Sequence, residues 1–175
     1  MLREPVDRTI GRPKVTEKIY YLQMTSPSEL IPARSGAAFD VRECREPLPE
    51  YNRFLYSVVG EKWAWTDKND WSTGQWHEYV TAESLKTYVA YSHGTPLGYY
   101  ELSRNENSEV EIAYFGLVPQ FIGKGYGGAL LQDAIERSWQ WGATRVWLHT
   151  CTRDHPNALK NYLARGFQLQ HTENL

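Results

Sequence analysis

Four glycines fall within six residues, Gly123, Gly125, Gly127 and Gly128, with Lys124 and Tyr126 between them and Ile122 ahead. Backbone this rich in glycine comes close to a ligand and reaches conformations a Cβ forbids. Where such a turn opens a helix, free N–H groups and the positive end of the helix dipole converge on one spot, and Lys124 adds a cation. The natural occupant is a phosphate-bearing ligand. The segment satisfies G-x-G-x-x-G, yet a dinucleotide fold wants the first glycine directly after its strand and an acidic residue about 20 positions on. Here four residues separate Val118 from Gly123, and positions 146–150 read Val-Trp-Leu-His-Thr. A nicotinamide enzyme is therefore a distant alternative. A Walker loop is excluded, because Gly125 stands where Ser or Thr must follow Lys124.

The elements that must hold this turn are legible from residue 86 onward. Thr87–Tyr91 and Leu97–Leu102 are rich in β-formers on either side of His93-Gly94-Thr95-Pro96, which predicts a hairpin. Val110 to Val118 reads as a third strand, ended by Pro119. Apolar residues at 130, 131, 134, 135 and 139 have the spacing of one helical face, with Gly142 as its C-terminal stop. Arg145–Cys151 is a short apolar strand. Pro156 fits the first position of a helix with an apolar face of Ala158, Leu159, Tyr162 and Leu163, stopped by Gly166. Phe167–His171 alternates like a last strand. The order β-β-β-α-β-α-β predicts an α+β fold (equally, an α/β three-layer domain). Upstream, residues 1–14 read as a loose arm and 15–175 as one domain. The prolines of 25–50 predict loops and one short helix, and Trp63, Trp65, Trp71 and Trp76 mark an aromatic loop running into a helix.

Other chemistry has weaker support. Cys151 and His149 share a strand face, but a nucleophilic cysteine needs a lowered pKa and an orienting group, and a buried cysteine is usually a small hydrophobe. Histidines 77, 93, 149, 155 and 171 lack metal-ligand spacing, so no metal is expected. Cys44 and Cys151 make no disulfide framework. A net charge of -2, balanced in both halves, argues against nucleic acid. No apolar run nears the ~18 residues a membrane span needs, and Met1–Arg8 carries no apolar core of a leader. A cytoplasmic protein without a membrane partner is the expectation.

Residues 86–171 resemble the GNAT superfamily of acyl-CoA-dependent N-acyltransferases. The superfamily's pyrophosphate signature, Gln/Arg-x-x-Gly-x-Gly/Ala, is matched here to Ile122 through Gly127, with Ile122 departing at its first position. Downstream, the pattern Asn-x-x-Ala-x-x-x-Tyr-x-x-x-Gly-Phe is met by His155, Ala158, Tyr162, Gly166 and Phe167, with His155 replacing Asn. The resemblance implies a mixed, mostly antiparallel sheet flanked by helices, an acceptor half over about 15–85 and an acetyl-CoA half over about 86–175. It implies acetyl-CoA as co-substrate, held by Phe115, Leu117, Ile122, Gly123, Lys124, Gly125, Gly127, Gly128 and His155, and an acetyl group passed to a small-molecule or peptide amine. Glu111 takes the position of a catalytic carboxylate acting through water, with Glu109 two residues away as its competitor, and Tyr162 that of the proton donor. A β-bulge near Phe115–Leu117, compatible with Gly116, would free N–H groups for the oxyanion. The tryptophans 63 to 76, with Glu61, Asp67, Asp70 and Glu78, either line the acceptor pocket or pack over the sheet. The departures at Ile122 and His155 keep open an acyl-CoA-binding module without catalysis. Pairing through sheet edges or helices, common in the superfamily, leaves a homodimer open.

Overall fold

Buried side chains alternate along β5 (Glu109–Leu117), where Val110 and Ile112 turn to one face of the sheet and Glu109 and Glu111 to the other. The computed structural model describes residues 17–34, 38–63 and 65–174, so the arm expected over 1–14 lies outside the described residues. The other strands are β1 (Lys18–Met24), β2 (Asp40–Glu43), β3 (Leu85–Ser92), β4 (Thr95–Arg104), β6 (Arg145–Cys151) and β7 (Gln168–Asn174). They form one sheet of seven in the order β2-β3-β4-β5-β6-β1-β7, antiparallel throughout except for β5 against β6.

Helices α3 (Tyr126–Gln140) and α4 (Ala158–Ala164) cover one face, burying Leu130, Leu131, Ala134, Ile135 and Tyr162 against Leu22, Met24, Leu102, Val110, Ile112, Val146 and Leu148. Helices α1 (Pro49–Gly60) and α2 (Thr73–Val80) cover the other, where Leu55 and Val59 meet Val89 and Tyr99. The mostly antiparallel three-layer sheet and the order of elements after residue 86 follow the sequence expectation. Three elements before it, β1, β2 and α1, were not anticipated as such; α1 has Pro49 at its start and Gly60 at its end, but they did not single it out among the neighbouring prolines and charges. β1 belongs to the first half of the chain, yet sits between β6 and β7 of the second.

Three local expectations are corrected. Pro156 lies in the turn before α4, whose cap is Asn157. Leu163 of that helix is exposed, because only Tyr162 turns fully inward. β7 is exposed along its whole length, so the alternation in 167–171 marks no buried face beyond Phe167. Its position at the edge of the sheet, with no helix over it, accounts for that.

Candidate active site

β5 and β6 pair only from Glu109↔Arg145 to Glu111↔Trp147. Beyond that point the two parallel strands part, and a cleft of about 710 Å³ opens between them. Its walls are Ile112–Leu117 of β5, His149 and Cys151 of β6, the loop 153–157, Tyr162 and Asn161 of α4, and Gly123 and Gly127 at the start of α3; Trp63, Trp65 and Asp67 close it from the α1–α2 loop.

The bulge in β5 sits at Ala113, upstream of the expected Phe115–Leu117. Glu101 faces Tyr114 while Leu102 faces Ile112, which leaves Ala113 without an opposite residue. The extra residue reverses the in-out alternation. Phe115 and Leu117 therefore join the α3 side of the core, and Tyr114 turns to the α1–α2 side against Tyr56 and Trp65. Downstream the ladder is regular, and the Val118 N–H donates to the Leu97 carbonyl at 2.9 Å. N–H directions alternate along a strand, so the N–H of Gly116 turns toward β4 while those of Phe115 and Leu117 turn toward the edge that β6 has left. The displaced bulge thus still leaves both expected donors aimed into the cleft.

The glycine turn corrects the motif register. Gly123 (φ 79°) and Gly125 (φ 86°) are the two left-handed residues, and Gly125 is the N-cap of α3. Gly127 and Gly128 are already helical. The signature's Gly-x-Gly pair is therefore 123/125, and its leading residue is Gln120, in the short turn Pro119–Phe121. Gln120-Phe121-Ile122-Gly123-Lys124-Gly125 meets the pattern in full, so the departure assigned to Ile122 disappears. Ile122, Gly123 and Gly127 line the cleft. Lys124 instead holds its ammonium 5.4 Å from the Phe121 ring, and Gly128 faces Ala33, Asn161 and Arg165. Asn161, which sequence reasoning passed over, donates to the Gly127 carbonyl at 3.3 Å and ties α4 to the turn.

His155 lines the cleft, its Nδ1 accepting from the Asn157 N–H at 3.0 Å, and its ring meets Trp63 edge-on at 5.0 Å. Asp154 closes the end of β6 by accepting from the Thr150 hydroxyl and the Cys151 N–H. Tyr162 borders the cleft at 8% exposure, packed edge-on against Phe115 and Phe167. Burial, reinforced by the Asp154 charge, pushes its phenol well above 10, so it stays protonated at neutral pH.

Glu111 lies on β5, the strand that leads towards the glycine turn, as expected. It does not border the cleft; its Oε1 lies 3.3 Å from His149 Nδ1, and His149 is the residue on the cleft wall. Glu109 is tied to Arg145 at 3.0 Å and to Asn105 at 2.9 Å, which holds its carboxyl below the usual range. That is a structural duty at the closed end of the β5–β6 pair.

The tryptophans divide. Trp71 and Trp76 pack with Tyr56 and Tyr79, while Trp63 and Trp65 face the cleft. Buried Lys68 lies 4.3–4.5 Å from the rings of Trp71, Tyr79 and Tyr114 and donates to the Tyr114 hydroxyl at 2.8 Å. Asp67 accepts from Tyr56, Tyr114 and Lys68. Burial raises the Asp67 carboxyl, but these donors outweigh it and hold it below its usual value. Its charge is matched by Lys68 instead of being free for a ligand. Among the described residues, no three His, Cys, Asp or Glu side chains gather as a metal site, and no helix is long and apolar enough to cross a membrane.

Comparison with known proteins agrees with this geometry. The profile of the acetyltransferase (GNAT) family matches residues 45–167. The chain belongs to that family. Proteins named uncharacterized N-acetyltransferase from Mycobacterium tuberculosis and Mycobacterium bovis are 30% identical over 101 residues, 58% of this chain. The match spans 64% of those relatives' length. Among solved structures, a GCN5-related N-acetyltransferase from Sphaerobacter thermophilus is similar at a TM-score of 0.69 and 18% identity, over 91% of this chain and 50% of that one. A Bacillus subtilis acetyltransferase in complex with CoA is similar at a TM-score of 0.58 and 25% identity, over 77% and 79%.

Proposed function

We propose that the protein moves an acetyl group from acetyl-CoA to a primary amine by direct attack in a ternary complex. The observation that carries this reading is the parting of β5 and β6 after Glu111, beside a left-handed glycine pair that caps α3. Acetyl-CoA supplies the acetyl thioester as electrophile. The fit rests on this chain's own groups: a Cβ is absent at Gly123 and Gly125 where φ is positive, and the space beside both is open to 4 Å. Gln120, Gly123 and Gly125, with the first N–H groups of α3, take the pyrophosphate. His155, Asn157 and Asn161 line the passage of the pantetheine arm.

The N–H groups of Phe115 and Leu117 face the growing oxyanion. Tyr162 holds a proton at Oη for the leaving sulfur, since a phenol and a thiol are of comparable basicity and the phenol stays protonated at rest. A lysine-like amine, with pKa about 10.4, is neutral in about one molecule in a few thousand at pH 7, so the site also needs a base. Trp63 and Trp65 give the acceptor side an aromatic wall, which suits a small-molecule or peptide amine.

The test is CoA thiol release from acetyl-CoA across a broad panel of amines. Amine-dependent release that falls in Tyr162→Phe, with acetyl-CoA affinity unchanged, supports the reading. Saturable acetyl-CoA binding with no release for any amine favours instead a binding module without catalysis, for which His155 in place of Asn is the specific observation.

A further inference from the structure

We infer that His149 takes the proton from the acceptor amine through its Nε2, and that Glu111 acts through His149 as a positioning residue. The inference rests on the acetyl-transfer reading. It deepens that reading by naming the group that meets the amine.

Before the bulge, side chains alternate across the sheet along β5 and β6. Glu111 and His149 stand on the same face of adjacent strands, in the last stretch where those strands still touch: Glu111 is the final paired residue of β5, and His149 lies two positions past its partner Trp147. Parallel strands that part at this point leave room for the longer Glu side chain to reach forward to the imidazole. The Glu111 side chain is 23% exposed and the His149 side chain 48%. The carboxylate is thus behind the imidazole and the imidazole is in front, on the cleft wall beside Cys151. Nδ1 faces Glu111 Oε1 at 3.3 Å, so in the neutral imidazole the hydrogen belongs on Nδ1 and the lone pair on Nε2. A base must come within hydrogen-bond reach of the proton it takes, and of the two side chains only the imidazole borders the cleft.

The electrostatics agree with the placement. The Glu111 hydrogen bond raises the His149 pKa against the effect of burial, and further acid charge comes from Asp154 of the loop after β6 and Asp67 of the α1–α2 loop. From β1 the neutral Tyr21 ring lies 5.9 Å away, itself stacked on His171 of β7 at 4.3 Å. The charges that raise the His149 pKa are the carboxylates of Glu111, Asp154 and Asp67, while Arg153 on the same cleft wall is paired with Glu17, so the imidazolium formed by proton capture is stabilised where it stands. In the step itself, one N–H bond of the substrate ammonium breaks, its proton bonds to His149 Nε2, and the electron pair stays on the amine nitrogen.

The experiment compares His149→Gln and Glu111→Gln with the wild type in two ways: kcat/KM against pH for an amine that is turned over, and NMR titration of the histidine ring protons without acetyl-CoA. The expected result is a fall of about 10²–10⁴-fold in kcat/KM for His149→Gln, with melting temperature and acetyl-CoA affinity preserved. In Glu111→Gln the His149 midpoint moves to lower pH, and the acid limb of the rate profile moves with it while the plateau survives. Two results overturn the inference: loss of rate at every pH in Glu111→Gln beside a wild-type rate in His149→Gln, or a His149 midpoint that ignores the loss of Glu111. If the wild type turns over no amine yet its His149 midpoint still depends on Glu111, the acetyl-transfer reading fails and the base role falls with it, leaving the pairing alone.

Discussion

Gly125 and Gly128 stand three residues apart, yet substituting alanine for each should move stability in opposite directions. Gly125 caps α3 at φ 86°, and a Cβ there would meet nothing within 4 Å. The whole cost is therefore in the backbone: a left-handed L-residue costs about 1–2 kcal/mol, offset in part by about 0.4–1 kcal/mol from the stiffer unfolded chain. The net loss for Gly125→Ala is roughly 0.5–1 kcal/mol. Gly128 lies inside the helix, and a Cβ would find ordinary contacts with Arg165 at 3.5 Å, Ala33 at 3.6 Å and Asn161 at 3.7 Å. Replacing glycine in a helix by alanine gains about 0.5–1 kcal/mol. At roughly 2–4 °C per kcal/mol for a chain of this size, the two variants should melt on opposite sides of the wild type, about 3–6 °C apart. The assay is thermal unfolding without and with acetyl-CoA. In Gly125→Ala the added ligand should stabilise less, because the N–H groups of the turn no longer converge; in Gly128→Ala the increment should stay near that of the wild type. Equal melting losses in both variants would refute the reasoning, since they would mean that the backbone at Gly125 is not what the glycine supplies.

Other consequences follow from the same contacts. Gly60→Ala should destabilise by about 1–3 kcal/mol in urea unfolding, because its Cβ would sit 2.6 Å from Trp65 Cβ and push that ring out of the cluster with Tyr56 and Tyr114. Asp67 is held below its usual pKa by Tyr114, Lys68 and Tyr56 against its burial, so its contribution to stability is present above about pH 4 and is lost as the pH falls through the lowered value. The urea midpoint of Asp67→Asn should therefore respond less to acidification than that of the wild type. Tyr79→Phe should cost about 1–3 kcal/mol, because the buried Glu101 would keep, among the described residues, only Asn52 as a side-chain donor; chemical unfolding at pH 7 measures it.

What could be read in the sequence follows where punctuation is strong. The hairpin β3–β4, the apolar stripe of α3 and the strand β6 are bounded by His93-Gly94, the glycine cluster and Gly142, and they lie where their patterns put them. α2 also carried a legible start, since Ser72 and Gln75 form a reciprocal capping box. α1 buries Asn52, Leu55, Tyr56 and Val59 at helical spacing, but its buried polar residue and the prolines upstream mask the stripe. β1 was not anticipated, and no local signal states that a strand from the first half inserts between β6 and β7. In the site, the glycine turn was legible from its residues, and Tyr162 was singled out by the resemblance to the GNAT superfamily, only its place on the inner face of α4 being legible from spacing. The pairing of Glu111 with His149 was not, because it depends on the register between two parallel strands 38 positions apart in the chain and on where they part. Nor was the bulge at Ala113, which carries neither glycine nor charge and is fixed by how β4 lies against β5.

On the proposed reading, the parted strands β5 and β6 and the glycine-capped α3 together hold an acyl-CoA. Calorimetric titration of the full chain with acetyl-CoA, and separately with NADH, tests it most directly. Acetyl-CoA should bind saturably at one site per chain, and NADH should give no heat. A flat acetyl-CoA titration, or binding of NADH instead, would contradict it.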